Sequence, residues 1–418
     1  MAGRRFRLAV VVLAVAAAAI RIAYIATEPT RLDQDRDAYL ILGRHLAETG
    51  QYGVGHPTAF RPPVYPLAVA TIERITGGDA AARWGRAALN VVCGVVTVLL
   101  TALVGRRLMG PLPGLAAALA MALSPLSIRY AAFSMTESLA TALFAALLAV
   151  TVRAISLRRT SDAAWLGATL AGAALCRPTA WVAGVALLAV WVAIGGRRVA
   201  GRTLTAAAVA AAVASPWVIR NAVQIGRPIL LTSHGGYTLA LGNNDRFYDE
   251  VVVGESTLWQ EGQQRWVVEQ QAAMRDAGIA GELAEDAHYK AVGYDTIRRR
   301  PLDFAAAAWL RLRRLLAAAP ATESDGITRA AVACFYLPVL IASGIGVIRL
   351  LAIDWRIGLL IAAVPAAVAG VHLAYWANAR MRLPAEPMLM LAAASLLAPR
   401  RAIAARSVTP SPAADGER

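Results

Sequence analysis

Charge is scarce in this chain. Only 17% of its 418 residues are Asp, Glu, Lys or Arg, while 58% are hydrophobic. That balance excludes an ordinary soluble globular protein. Cysteine is nearly absent: Cys93, Cys176 and Cys334 fall in or beside different apolar blocks. They show neither a disulfide framework nor metal-type spacing, and read as small core residues. No repeat of fixed period is evident, and no paired His and Arg phosphatase motif occurs.

The apolar residues come in blocks near the length of a membrane crossing. The clearest are Leu8–Ile25, Ala87–Val104, Leu112–Ile128, Leu139–Ile155, Trp181–Ile194, Leu204–Ile219, Ala330–Ile348, Ile357–Trp376 and Pro387–Leu397, with a weaker one at Ala164–Leu175. Backbone groups in lipid must bond within their own segment, so the blocks predict helices. The fold class expected is an all-α polytopic membrane protein with about ten transmembrane helices, twelve at most. The first block follows Arg4, Arg5 and Arg7 and resembles a signal peptide in outline, but it runs past Ile20 and many spans follow. It reads as a span.

The net charge of +15 does not call for a nucleic acid. Arginines gather between blocks, at Arg106–Arg107, Arg153 with Arg158–Arg159, Arg197–Arg198 with Arg202, and Arg400–Arg401. That is the bias of cytoplasmic loops. Counting spans from an inner N-terminus divides the chain into 1–27 (N-terminal segment and first span), 28–86 (first external loop), 87–220 (spans two to seven) and 221–302 (second external segment). An interfacial helix at 303–326, the last three spans at 327–398 and a disordered cytoplasmic tail at 399–418 follow. Between Asp245 and Asp286 ten acidic residues stand against three basic ones, as suits an external domain. Residues 303–320 carry Arg311, Arg313 and Arg314, which are costly at bilayer depth, so this stretch is expected to lie along the interface. The tail SVTPSPAADGER has a disordered composition.

On this topology the outer face collects Asp33, Asp35, Asp37 and Tyr39, then Arg61 and Tyr65 in FRPPVYP. It also collects Glu137, Arg177 in CRPTAW, Arg220 in PWVIRN, and Arg380 with Arg382 in ANARMRLP. Taken singly these are solvated loop acids, helix-terminal charges and snorkelling arginines. Together they suit a phosphate, which a guanidinium binds bidentately, and a carboxylate that takes a proton or holds a cation. The reaction class is transfer from a lipid phosphate on the outer face.

Several ordered landmarks carry a resemblance. Asp35-Arg36-Asp37-Ala38-Tyr39 precedes a helix-forming run. Arg61-Pro62-Pro63-Val64-Tyr65-Pro66, Glu137, Arg177-Pro178, Pro216-Trp217 with Arg220-Asn221, Gly242-Asn243-Asn244, and Ala379-Arg380-Met381-Arg382 with Pro384 follow in order. Over roughly residues 8 to 398 the chain resembles the integral-membrane GT-C glycosyltransferases, in the branch of protein O-mannosyltransferases and aminoarabinose transferases. The resemblance implies a GT-C fold with external juxtamembrane helices in the first loop. It implies that Asp35 is the catalytic carboxylate, acting on a hydroxyl acceptor that attacks C1 of a sugar on polyprenyl phosphate, with inversion. Glu137 would be the second acid, and it allows a divalent cation between Asp35 and Glu137. No other cofactor is suggested. Arg380 and Arg382 would bind the lipid phosphate, helped by Arg61 and Arg177. Asp37, Tyr39 and Tyr65 would support them, and Asp33 would be a bystander. Where relatives show Asp-Glu this chain has Asp35-Arg36, so Asp37 is expected to supply part of that acidity.

The partners expected are the bilayer, the lipid-linked donor and an acceptor that is a glycan, lipid or protein, with no nucleic acid. The location expected is the inner (plasma) membrane, with both termini cytoplasmic. The rival is a secondary transporter or flippase. Its polar groups would stand at the bilayer midplane, where these blocks hold almost only Ala, Val and Leu.

Overall fold

The computed structural model describes residues 2–157, 159–254, 259–319 and 326–406. Every regular element among them is helical. In chain order the helices are α1 Ala2–Thr27, α2 Tyr39–Thr49, α3 Val64–Thr76, α4 Asp79–Met109, α5 Pro111–Ala122, α6 Pro125–Tyr130, α7 Glu137–Leu157, α8 Thr160–Ala174 and α9 Thr179–Gly195. Then come α10 Ala200–Ile225, α11 Gly235–Gly242, α12 Asp245–Phe247, α13 Gln260–Asp276, α14 Glu282–Arg299 and α15 Pro301–Leu315. Last are α16 Gly326–Ile353, α17 Trp355–Ala374, α18 Glu386–Ala394 and α19 Arg400–Ala404.

Among the described residues, six stretches are long and apolar enough to cross a membrane: Gly3–Thr27, Ala80–Met109, Glu137–Leu157, Thr179–Ile225, Gly326–Ile353 and Trp355–Ala374. The chain is a multi-pass membrane protein. Thr179–Ile225 holds 47 residues and two helices, broken at Gly196, whose φ of +57° turns α9 towards α10. The remaining apolar blocks became shorter helices, α5, α8 and α18.

The main core joins α1, α4, α5, α7, α8, α9, α16, α17 and α18. Lipid tails offer no hydrophobic drive between helices, so small residues that let backbones approach do the packing. Gly105 of α4 faces Gly114 of α5, where a Cβ would stand 2.6 Å from the opposing Cα. At α16 a side chain on Gly346 would strike the Ala392 carbonyl of α18. Arg21, fully buried on α1, closes the open end of α5. Its Nη1 donates to Ala122 O at 3.2 Å and its Nη2 to Ser127 Oγ at 2.7 Å. A charge within the bilayer is tolerated where backbone carbonyls receive it.

A second core, rich in aromatics, holds the segment after α10. Phe247, Tyr248, Trp259, Trp266 and Tyr289 pack there with Trp376. α15 carries its apolar stripe outward: Leu302, Trp309 and Leu316 are exposed at intervals of seven, while Arg311 is buried and donates to Leu373 O at 2.9 Å and Gly242 O at 2.6 Å. The helix ends at Leu315, eleven residues short of the expected boundary at 326. Residues 320–325, within the expected interfacial stretch, lie outside the described residues. So do residues 407–418 of the tail. The tail's first part, expected to be unstructured, is instead helical over Arg400–Ala404 and buries Ile403, whose apolar side chain docks on the core.

Candidate functional site

The turn between the 3₁₀ helix Pro29–Asp33 and α2 sets the acids. Ala38 adopts φ 60°, ψ 17°, the one left-handed residue other than glycine among those described. A side chain in this region costs about 1 kcal/mol, and such backbone gathers at functional positions. The twist separates the two carboxylates beside it. Asp35 turns onto the start of α2, accepting from Leu40 N–H at 3.2 Å and Ile41 N–H at 2.8 Å, and stays exposed. Asp37 turns inward, where Arg380 Nη1 lies 3.1 Å from its Oδ2 and Arg61 Nη2 3.7 Å from its Oδ1.

Glu137, the first residue of α7, is buried between two guanidinium groups. Its Oε1 is 3.2 Å from Arg177 Nη1 and 3.2 Å from Arg380 Nε. Arg177 comes from the α8–α9 turn, Arg380 from the short helix Ala379–Ala385 and Arg61 from the first loop. Three arginines and two carboxylates thus meet, leaving one positive charge in surplus for an anion. Burial alone lowers the Arg380 pKa, but Glu137 and Asp37 outweigh it and hold the group firmly cationic. Arg61 Nε and Glu137 Oε2 are buried without a hydrogen-bond partner among the described residues.

Aromatic rings wall this cluster. Tyr39 and Tyr65 meet edge to face at 5.6 Å, and the Arg61 guanidinium lies 5.3 Å from the Tyr39 ring and 4.9 Å from that of Phe60. Burial, against the opposing pull of Arg61, pushes the Tyr39 hydroxyl up to about 12. Burial and then Glu137 raise Tyr65 as well, so both phenols stay protonated. His234 Nε2 stands 3.3 Å from Arg61 Nη1, and burial followed by Arg61 lowers its pKa to about 4. At neutral pH it is an uncharged acceptor for Arg61.

Arg382 does not join them. A 3₁₀ turn places residues two apart in different directions, and Arg382 points away from Arg380. Its Nε lies 3.4 Å from Glu386 Oε1, its Nη1 donates to Leu315 O and Ala317 O at 2.9 Å each, and it covers the Tyr336 ring at 4.4 Å. It braces α18 against the end of α15. Asp33, expected to stand aside from the reaction, is tied into the fold. It pairs with Arg83 at 2.5 Å and with the fully buried Arg86 at 2.9 Å, and Arg86 also meets Glu73 at 2.6 Å. A buried guanidinium needs such partners, which a reading of loop acids as solvated overlooks.

The motifs after α9 proved to be joints around the site. Arg220 Nη1 donates to Thr58 O at 2.6 Å, its Nη2 donates to Tyr52 O, and Trp217 Nε1 donates to Leu231 O at 3.0 Å. Asn243 Nδ2 donates to Ala374 O at 2.7 Å, fastening the segment after α10 to the end of α17.

A divalent cation between Asp35 and Glu137 does not fit this arrangement. Hard cations take several oxygens from one cavity. Asp35 is committed to backbone amides, Glu137 Oε1 is shared by two arginines, and among the described residues no group of three His, Cys, Asp or Glu is arranged for a metal.

Residues 60–219 match the family model described as dolichyl-phosphate-mannose-protein mannosyltransferase. Among solved structures, the Archaeoglobus fulgidus oligosaccharyltransferase in complex with Zn and sulfate superposes with a TM-score of 0.55 at 14% identity, over 93% of this chain and 48% of that one. Its apo form gives 0.52 at 14% identity, over 93% and 50%. ArnT from Cupriavidus metallidurans bound to undecaprenyl phosphate gives 0.46 at 15% identity, over 93% and 77%. The chain spans about half the length of the archaeal enzyme. No curated protein sequence matches it. The family model covers less than half of the chain, and the superposition shows that the chain shares the helical fold of the archaeal oligosaccharyltransferase.

Proposed function

We propose that the protein transfers a sugar from a polyprenyl phosphate to a hydroxyl acceptor on the extracytoplasmic face of the plasma membrane. The observation that carries this reading is the meeting of Arg61, Arg177 and Arg380, from three distant parts of the chain, around Asp37 and Glu137. A phosphate entering there takes over guanidinium hydrogen bonds now spent on the carboxylates.

The chemistry is a single displacement. The acceptor oxygen attacks C1, the bond from C1 to the phosphate oxygen breaks, and its electron pair stays on the phosphate. Arg380, Arg177 and Arg61 stabilise the charge that grows there, as donors already aimed at the place where it develops. The acceptor's proton goes to Asp35, whose carboxylate is exposed and held in place by the α2 amides. Asp37 and Glu137 keep the arginines aligned. Arg382 takes no part in donor binding on this reading.

Ten crossings, with both termini cytoplasmic, bring these parts to one face. The arginine-bearing turns at Arg106–Arg107 and Arg197–Arg202 then lie inside, and α15 rests in the interface with Leu302 and Trp309 in lipid. Binding of a polyprenyl phosphate to purified protein tests the donor site. Tight binding that Arg380→Ala weakens is expected, and equal binding by both proteins sinks the assignment.

A further inference from the structure

Arg61 reaches the cluster from a stretch, Gln51–Pro63, that forms no helix of its own. Its place is fixed from outside the loop. Glu282, the first residue of α14, lies 223 residues further on, and its Oε1 accepts from Ala59 N–H at 2.8 Å. The same oxygen accepts from the Ser233 hydroxyl, and Oε2 from the Thr58 hydroxyl. Beside this carboxylate Ser233 N–H donates to Ala59 O at 3.1 Å, binding the two stretches of chain to each other, and within the first of them Phe60 N–H donates to Thr58 Oγ1 at 3.0 Å.

The residues fastened are the immediate neighbours of the site. Ala59 stands two before Arg61, and Ser233 precedes His234, the imidazole that accepts from Arg61. One turn along α14, Asp286 Oδ1 accepts from Gly236 N–H at 2.7 Å and Tyr237 N–H at 3.4 Å. The same helix therefore grips the loop that carries Arg61 and the loop that carries His234. Bonds to a charged acceptor are stronger than neutral ones, and three of them converge on Glu282.

We propose that Glu282 is a positioning residue: it holds Thr58, Ala59 and Ser233 so that Arg61 stands against Asp37, and it thereby sets the affinity of the cluster for a lipid phosphate. The inference rests on the donor-site reading above. Glu282 touches no reacting group. Its effect passes through Arg61, because a guanidinium displaced by about 1 Å loses most of its value to an oriented anion.

The test is a double-mutant cycle on full-length purified protein, with polyprenyl phosphate binding as the readout. Glu282→Ala and Arg61→Ala are each expected to weaken binding about tenfold. The double variant is expected to bind no worse than Arg61→Ala alone, since residues acting through one contact are not additive. In transfer assays the Glu282→Ala loss falls on the donor KM. Glu282→Gln keeps an acceptor oxygen for Ala59 N–H and should fall between wild type and the alanine variant. It replaces that variant in the cycle should Glu282→Ala not fold. Wild-type binding in Glu282→Ala, or losses that add in the double variant, overturn the inference while the donor site stands. Wild-type protein that binds no polyprenyl phosphate overturns both.

Discussion

Arg380 and Asp37 meet at 3.1 Å although 343 residues separate them in the chain. Their contact joins the short helix Ala379–Ala385 to the loop before α2, and it closes around Glu137 at the head of α7. An ion pair this far from local sequence needs the whole helical bundle to form. On the proposed function, a phosphate competes for the guanidinium that Asp37 now holds.

Arg380 and Arg382 are expected to part company on substitution. Arg380→Gln should lower kcat by about 100-fold or more while leaving thermal stability near wild type. Arg382→Gln removes the partner of the buried Glu386 and should instead lower the unfolding midpoint. Kinetics and a thermal melt on the two variants check the contrast.

Glu73 and Asp33 should behave as stabilising residues. Glu73→Ala strips a close partner from the fully buried Arg86, a change that costs about 3 kcal/mol in buried pairs. Asp33→Ala should cost less, because Asp33 is the more exposed of the two. Unfolding midpoints in one detergent, at one pH, measure both.

His234 gives the fold a pH dependence of known sign. Its pKa falls from the ordinary 6.5 to about 4 in the folded protein, through burial and then Arg61. The unfolded chain therefore binds its proton first as pH drops, and the folded state loses stability between about 6.5 and about 4. Above that window the residue is neutral in both states and contributes nothing. Melting midpoints across this range should fall less steeply in His234→Gln than in wild type.

Ala38→Gly should stabilise the protein by about 1 kcal/mol, since glycine adopts the left-handed turn without a Cβ clash. Thermal unfolding reads this directly. A destabilised Ala38→Gly would show that the turn is not strained.

Much of the fold was legible because lipid enforces helices and leaves long apolar blocks as their signature. The blocks behind α8 and α18 were already the shorter ones in the sequence, whereas the block behind α5 was legible as apolar but not as ending at Ala122, since that end depends on neighbours such as Arg21. Arg61, Asp37, Glu137, Arg177 and Arg380, named from the sequence, do meet in space. Arg382 could not be told from Arg380 in a linear reading, because direction around a 3₁₀ turn is invisible there. Asp33 read as a loop acid because Arg83 and Arg86 reach it from another element. His234 and Glu282 carried no signal at all. Their roles come from hydrogen bonds between segments 173 and 223 residues apart, which no local pattern encodes.

The most direct measurement is transfer of label in membranes supplied with a panel of polyprenyl-phosphate sugars, wild type beside Asp35→Asn. The account predicts labelled product from at least one donor with wild type and none with Asp35→Asn, at equal amounts of folded protein. Undiminished transfer by Asp35→Asn, or no transfer by wild type from any donor with acceptors present, would contradict it.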